Sequence, residues 1–177
     1  MPEPSETDWA YAAGFVDGEG CIAVVRAFSP ARGLYQYSVQ IVVANRDRRV
    51  LDWMQCTWGG WVVAVSNRQG LARASWTWRA PTGASAKPFL TGIRPWLRLK
   101  IEQCENAIAM IDLLAPGRRL GRGRRLPPEI RSQQEELYWI QRELNHRGSA
   151  SFQAVPMHSP RQIHRERLAA QASLASQ

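Results

Sequence analysis

The chain has almost no lysine. Of its 23 lysines and arginines, only Lys87 and Lys100 are lysines. Cysteine is equally sparse: Cys21, Cys56 and Cys104 are odd in number and scattered without metal-ligand spacing. That pattern excludes a disulfide scaffold or a cysteine-built zinc site, and fits a reduced intracellular protein. No apolar run is long enough to span a bilayer and no basic–apolar–small leader opens the sequence. No membrane partner is therefore expected, and the expected location is cytoplasmic, with an organelle the other intracellular option. No stretch recurs, so there is no internal repeat.

What the chain does have is positive charge, net +8 over 177 residues with a pI near 10.2. This length accommodates one compact domain with a real core. Excess arginine favours a polyanionic partner, nucleic acid ahead of membrane. A merely soluble basic protein would share these bulk numbers, so the argument passes to motifs.

The stretch that organises the chain is Ala12–Gly20, AAGFVDGEG. Trp9, Ala10, Ala12, Ala13 and Val16 recur at helical spacing after a Thr7 or Asp8 cap, which predicts a helix over 8–18, stopped by Gly18 and Gly20. Gly14 and Gly18 stand four apart, and Asp17 and Glu19 flank Gly18. Small residues at that spacing let two helices approach closely. A carboxylate at a helix C-terminus is repelled by the helix dipole and wants a cation. The plainer reading is a helix cap followed by an acid–glycine turn, with Asp17 hydrogen-bonded locally to hold the helix end.

Strands are expected at 21–28, 35–44, 61–65 and 71–79, and helices at 47–57, 85–92, 95–114 and 128–146. Pro116-Gly117 should end the 95–114 helix. Along 35–44, Tyr35, Tyr37, Val39, Ile41 and Val43 share one face, while Gln36, Ser38 and Gln40 share the other. In the fourth strand Arg73, Ser75, Thr77 and Arg79 alternate with Ala74, Trp76 and Trp78. An uncharged Gln/Ser face is either wet sheet surface or a reader of base edges. Arg26 breaks the pattern of the first strand by sharing the parity of Ile22 and Val24, which suggests a bulge or a strand-end position. The chain divides into a core at 1–116, a basic linker at 117–127, a C-terminal helix at 128–147 and a Ser/Ala/Gln-rich tail at 148–177.

On these residues the chain resembles the LAGLIDADG homing endonucleases. AAGFVDGEG matches their nonapeptide, with Ala12 for the leading Leu and Glu19 for the second Asp. The α-β-β-α-β-β-α order, the Asn45-Arg46-Asp47 segment and Pro95-Trp96-Leu97-Arg98-Leu99-Lys100 agree with it over residues 8–115. The resemblance implies an α+β fold with a four-stranded antiparallel saddle sheet, helices on one face and an extra C-terminal helix. It implies a site-specific double-strand DNA endonuclease acting on a long, nearly palindromic target as a homodimer, and encoded by an intron. Two copies of the motif helix would meet through Ala13, Gly14, Asp17 and Gly18. Glu19 and the Gly18 carbonyl would hold Mg2+, with Mn2+ a substitute and Ca2+ supporting binding without cleavage. Lys100, Asn45 and Arg49 would serve the catalytic site with Glu19. Gln36, Ser38, Gln40, Arg68, Arg73, Ser75, Thr77 and Arg79 would contact DNA bases, and Arg118 and Arg119 its phosphates. The same fold also serves as an intron RNA-splicing maturase or a non-cleaving DNA-binding regulator, so intron RNA is a second candidate partner. For Lys100, Asn45 and Arg49 the plainer readings are a helix-start lysine, a helix cap and a solvated helix face.

Overall fold

A computed structural model describes residues 3–31, 33–65, 75–119 and 126–146. The elements in chain order are α1 (Glu6–Glu19), β1 (Gly20–Ser29), β2 (Leu34–Asn45), α2 (Arg48–Trp58), β3 (Trp61–Val65), β4 (Ser75–Arg79), α3 (Lys87–Ile93), α4 (Ile101–Arg119) and α5 (Pro128–His146). The strands form one antiparallel sheet in the order β1-β2-β4-β3.

Strand parity decides which face of the sheet is buried. Ile22 and Val24 of β1, Val39, Ile41 and Val43 of β2, and Trp78 of β4 all point inward. They pack against Val16 of α1, Leu51 and Met54 of α2, Phe89 and Leu90 of α3, and Cys104 and Met110 of α4, so the helices cover one face of the sheet. Burial pushes the Cys104 thiol up to about 12, which leaves it a neutral core group. A cluster of rings closes the α1–α2–α3 corner: Trp58 lies 5.2 Å from Trp9 and 5.4 Å from Phe89.

Three expectations need correction. The first helix is capped by Ser5, whose hydroxyl accepts from the Asp8 amide while Asp8 returns the bond, and the helix therefore starts at Glu6. The long helix begins at Ile101, not Pro95; residues 94–96 form a 3₁₀ turn and Leu97 is extended. It also continues through Pro116 to Arg119. A proline there forfeits one amide bond in the last turn, where the loss is small.

The stripe that α5 buries differs too. Ile130, Leu137, Ile140 and Leu144 form the apparent apolar set, but the buried residues are Gln134, Tyr138, Gln141 and Leu144. The glutamines are satisfied where they lie. Gln141 Nε2 donates to the Ile22 carbonyl at 2.7 Å, and its Oε1 accepts from Asn106 Nδ2 at 2.8 Å. Asn145 Nδ2 donates to the same Ile22 carbonyl at 3.1 Å. Because β1 is an edge strand, these side-chain amides take the place of a fifth strand at that point.

Arg26 sits on the inward parity in a register that runs unbroken from Gly20↔Val43 to Ser29↔Leu34, so no bulge is present. Its guanidinium pairs with Glu135 of α5 at 2.5 Å and lies over the rings of Tyr35 and Tyr138 at 4.4 and 4.6 Å. The Tyr37 hydroxyl donates to the same Glu135, and burial with that carboxylate pushes the phenol well above its ordinary value. The C-terminal helix is thereby clamped to the far end of the β1–β2 hairpin.

Candidate active site and nucleic-acid interface

Helix α1 has two unlike faces. Ala12, Ala13, Val16 and Asp17 are buried inside the chain, whereas Tyr11, Gly14, Gly18 and Glu19 are exposed. Two expected seam residues, Ala13 and Asp17, thus turn inward and are held by their own chain. The helix does not stop at Gly18 but runs through Glu19 and turns extended at Gly20. A Cβ on Gly20 would lie 2.6 Å from the Val16 carbonyl oxygen, so the turn requires glycine. Gly14 and Gly18 would meet nothing within 4 Å.

Asp17 explains where α4 begins. Its carboxylate accepts from the backbone amides of Arg98 (2.6 Å), Leu99 (3.2 Å) and Lys100 (3.0 Å). These amides lie on the approach to α4, whose first bond runs from the Cys104 amide to the Lys100 carbonyl. A residue 83 positions from Lys100 therefore anchors the segment that leads into α4, with its charge near the positive end of the helix. Lys100 returns the favour. Its Nζ donates to the Val16 carbonyl at 3.0 Å and to the Asp17 carbonyl, placing an ammonium on the negative end of α1. The two helix ends neutralise each other.

Glu19 stands beside this junction, exposed, with no hydrogen-bond or ion-pair partner among the described residues. Asn45 lies two residues beyond Val43, the cross-strand partner of Gly20, at the same end of the sheet. Its Oδ1 accepts from the Asp47 amide at 2.7 Å. Arg49 is held by Asp47 in a paired contact, and that guanidinium lowers the Asp47 carboxyl to about 2. Arg49 lines a shallow groove of about 540 Å³ with Tyr11, Val50 and Trp53. The chain thus brings Gly18, Glu19, Lys100 and Asn45 to one end of the sheet, and binds Arg49 to a neighbour.

As a donor set, the Glu19 carboxylate and the Gly18 carbonyl are hard oxygens suited to Mg2+. They are too few to enclose one, and no cluster of three or more His, Cys, Asp or Glu gathers elsewhere among the described residues.

The outward face of the sheet carries Gln36, Ser38 and Gln40, the first two exposed and the third half-buried. Arg79 is exposed and Ser75 half-buried. Thr77 departs from expectation: it is only 7% exposed, flanked by its partners Ala44 and Val63. Arg68 and Arg73 lie outside the described residues, as do the side chains of Arg118 and Arg119. Sequence reasoning passed over the outward residues of β1 (Cys21, Ala23, Val25 and Ala27), which cross-strand parity alone would have found.

No protein-family model and no curated protein sequence matches the chain. Solved structures do. The homing endonuclease I-CvuI, in complex with its target, superposes with a TM-score of 0.65 at 21% identity, covering 93% of this chain and 94% of that one. The fold of this chain is that of the LAGLIDADG homing endonucleases. The archaeal intron-encoded endonuclease I-Vdi141I, complexed with DNA, has the same fold at a TM-score of 0.64 and 15% identity, with 83% of this chain and 89% of that one covered. I-GzeII, a LAGLIDADG homing endonuclease with its DNA target, matches 86% of this chain but only 51% of its own length, at a TM-score of 0.59 and 14% identity. This chain therefore spans about half of that one. Among the described residues no helix is long and apolar enough to cross a membrane.

Proposed function

We propose that the chain is a divalent-metal-dependent, site-specific double-strand DNA endonuclease that works as a homodimer. One observation carries this: an unpartnered, exposed Glu19 beside two glycines that the chain's own packing does not need. Gly in a helix interior costs about 1 kcal/mol relative to Ala. Gly14 incurs that cost in mid-helix, and both Gly14 and Gly18 have open space around them. A second copy of α1 lying against the same face would use the space and bring a second Glu19 to the two-fold axis. The half-length match to I-GzeII supports the same reading, with two copies standing where that chain has one. I-CvuI and I-Vdi141I were solved with DNA, which supports a duplex partner.

In the dimer, the two Glu19 carboxylates and Gly18 carbonyls would hold Mg2+, with DNA phosphate and water completing the shell. Bound there, the ion supplies an acidified water and counter-charge for the leaving oxygen of the phosphodiester. The chain does the positioning. Asp17 fixes the segment leading into α4 onto α1, and so brings Lys100 to the junction. Lys100 uses two of its three ammonium hydrogens on α1 carbonyls, leaving the third for a scissile phosphate or its water. Asn45 orients the polar surroundings from the end of β2. The outward sheet face enters the major groove.

The test begins with selection from a randomised duplex pool in Mg2+ and, separately, in Ca2+. Cutting in Mg2+ and binding without cutting in Ca2+ are expected. Glu19→Gln should slow cutting by about 10²- to 10³-fold, as for other lost transition-state charge stabilisers, while binding persists. Cutting by Glu19→Gln at the wild-type rate would refute the role of the carboxylate.

A further inference from the structure

The outward face of β1 bears no charged side chain. It presents Cys21, Ala23, Val25 and Ala27. The register sets these directly across from the polar row of β2: Ala23 opposite Gln40, Val25 opposite Ser38, and Ala27 opposite Gln36. Directly opposed side chains on one face of an antiparallel pair start about 5 Å apart. Each Ala/Gln pair therefore offers, at a single place, a carboxamide and a methyl surface.

In the major groove an A·T pair shows a matching edge. Adenine presents N7 and the N6 amino group, which a Gln amide pairs with in bidentate fashion, and thymine presents its C5 methyl, which accepts apolar contact. A G·C pair has no methyl. Resting on the DNA-binding reading above, we infer that the Ala23/Gln40 and Ala27/Gln36 pairs recognise A·T base pairs, the glutamine by its amide to adenine and the alanine by contact with the thymine methyl. Val25 beside Ser38 extends the methyl-sensing row between them. The chain discriminates at these positions by fit to a methyl group in addition to hydrogen bonds, and its target carries thymine there.

The experiment replaces each thymine of the selected target, one at a time, with deoxyuridine, which removes only the C5 methyl. Burying one methyl group is worth about fourfold in binding, so a loss of about fourfold is expected at two or more positions in each half-site. Ala23→Ser should shrink that penalty below about twofold at one of those positions and leave it at the others. A target bound equally well with every thymine replaced overturns the inference and leaves the endonuclease proposal standing. Failure to recover any bound duplex overturns both. A sheet face that joins copies of the chain would declare itself differently: Ala27→Arg would dissociate the dimer in sedimentation, which also overturns the inference.

Discussion

The two faces of α1 answer to different partners. The inward face is explained completely by this chain: Ala12, Ala13 and Val16 are wholly buried, and the Asp17 carboxylate holds three amides. The outward face is not. Gly14, Gly18 and Glu19 have open surroundings, and nothing within the described residues accounts for them. Residues that weaken a helix without any internal return point outside the subunit. Two acids two residues apart in one motif thus have opposite tasks, one structural and one facing outward.

The largest expected effect breaks the inward face. Asp17→Ala removes a buried acceptor and strands three amides just ahead of α4, which should cost about 3 kcal/mol in urea unfolding. A loss under about 1 kcal/mol would mean that α4 starts without help from Asp17. Next, Gly14→Leu tests the outward face. In dilute solution the chain should gain about 0.8 kcal/mol from helix propensity, because a Cβ there has room. At higher concentration Gly14→Leu should remain monomeric in sedimentation where the unaltered chain, on the proposal above, dimerises; an unchanged dimer would remove α1 from the seam. The smallest expected change in stability is Glu19→Gln, within about 0.5 kcal/mol as for an exposed site away from any contact. The same substitution should slow cutting by about 10²- to 10³-fold, so the two acids would separate cleanly into one that sets stability and one that sets activity.

Local pattern made much of this legible. The extent of β3 over 61–65, the inward and outward rows of β2, and the helix–turn–strand at AAGFVDGEG all follow from period and glycine placement. What was not legible depended on distant partners. Pro95 looks like a helix start, yet the amides of residues 98–100 bond across 80 or so positions to Asp17, and α4 begins only after them. Gln134 and Gln141 look solvent-facing on α5 because a helix-period count scores amides as polar. Buried, they donate to the Leu113 and Ile22 carbonyls, which satisfies their amides away from water. Arg26 looks out of place on the inward parity of β1 until α5 supplies Glu135 and a set of rings.

Element order, the inward face of the sheet, and one glycine-bracketed helix end bearing an acid can all be read from residue pattern alone. These depend on short-range periodicity, which neighbouring residues carry in full. Which acid does which task is set by the packing of α1 against the segment before α4. Asp17 and Glu19 are two residues apart on a helix, so the turn of the chain sends one toward the α4 amides and the other to solvent. That assignment depends on where a second helix end lies in space, and no local pattern encodes it.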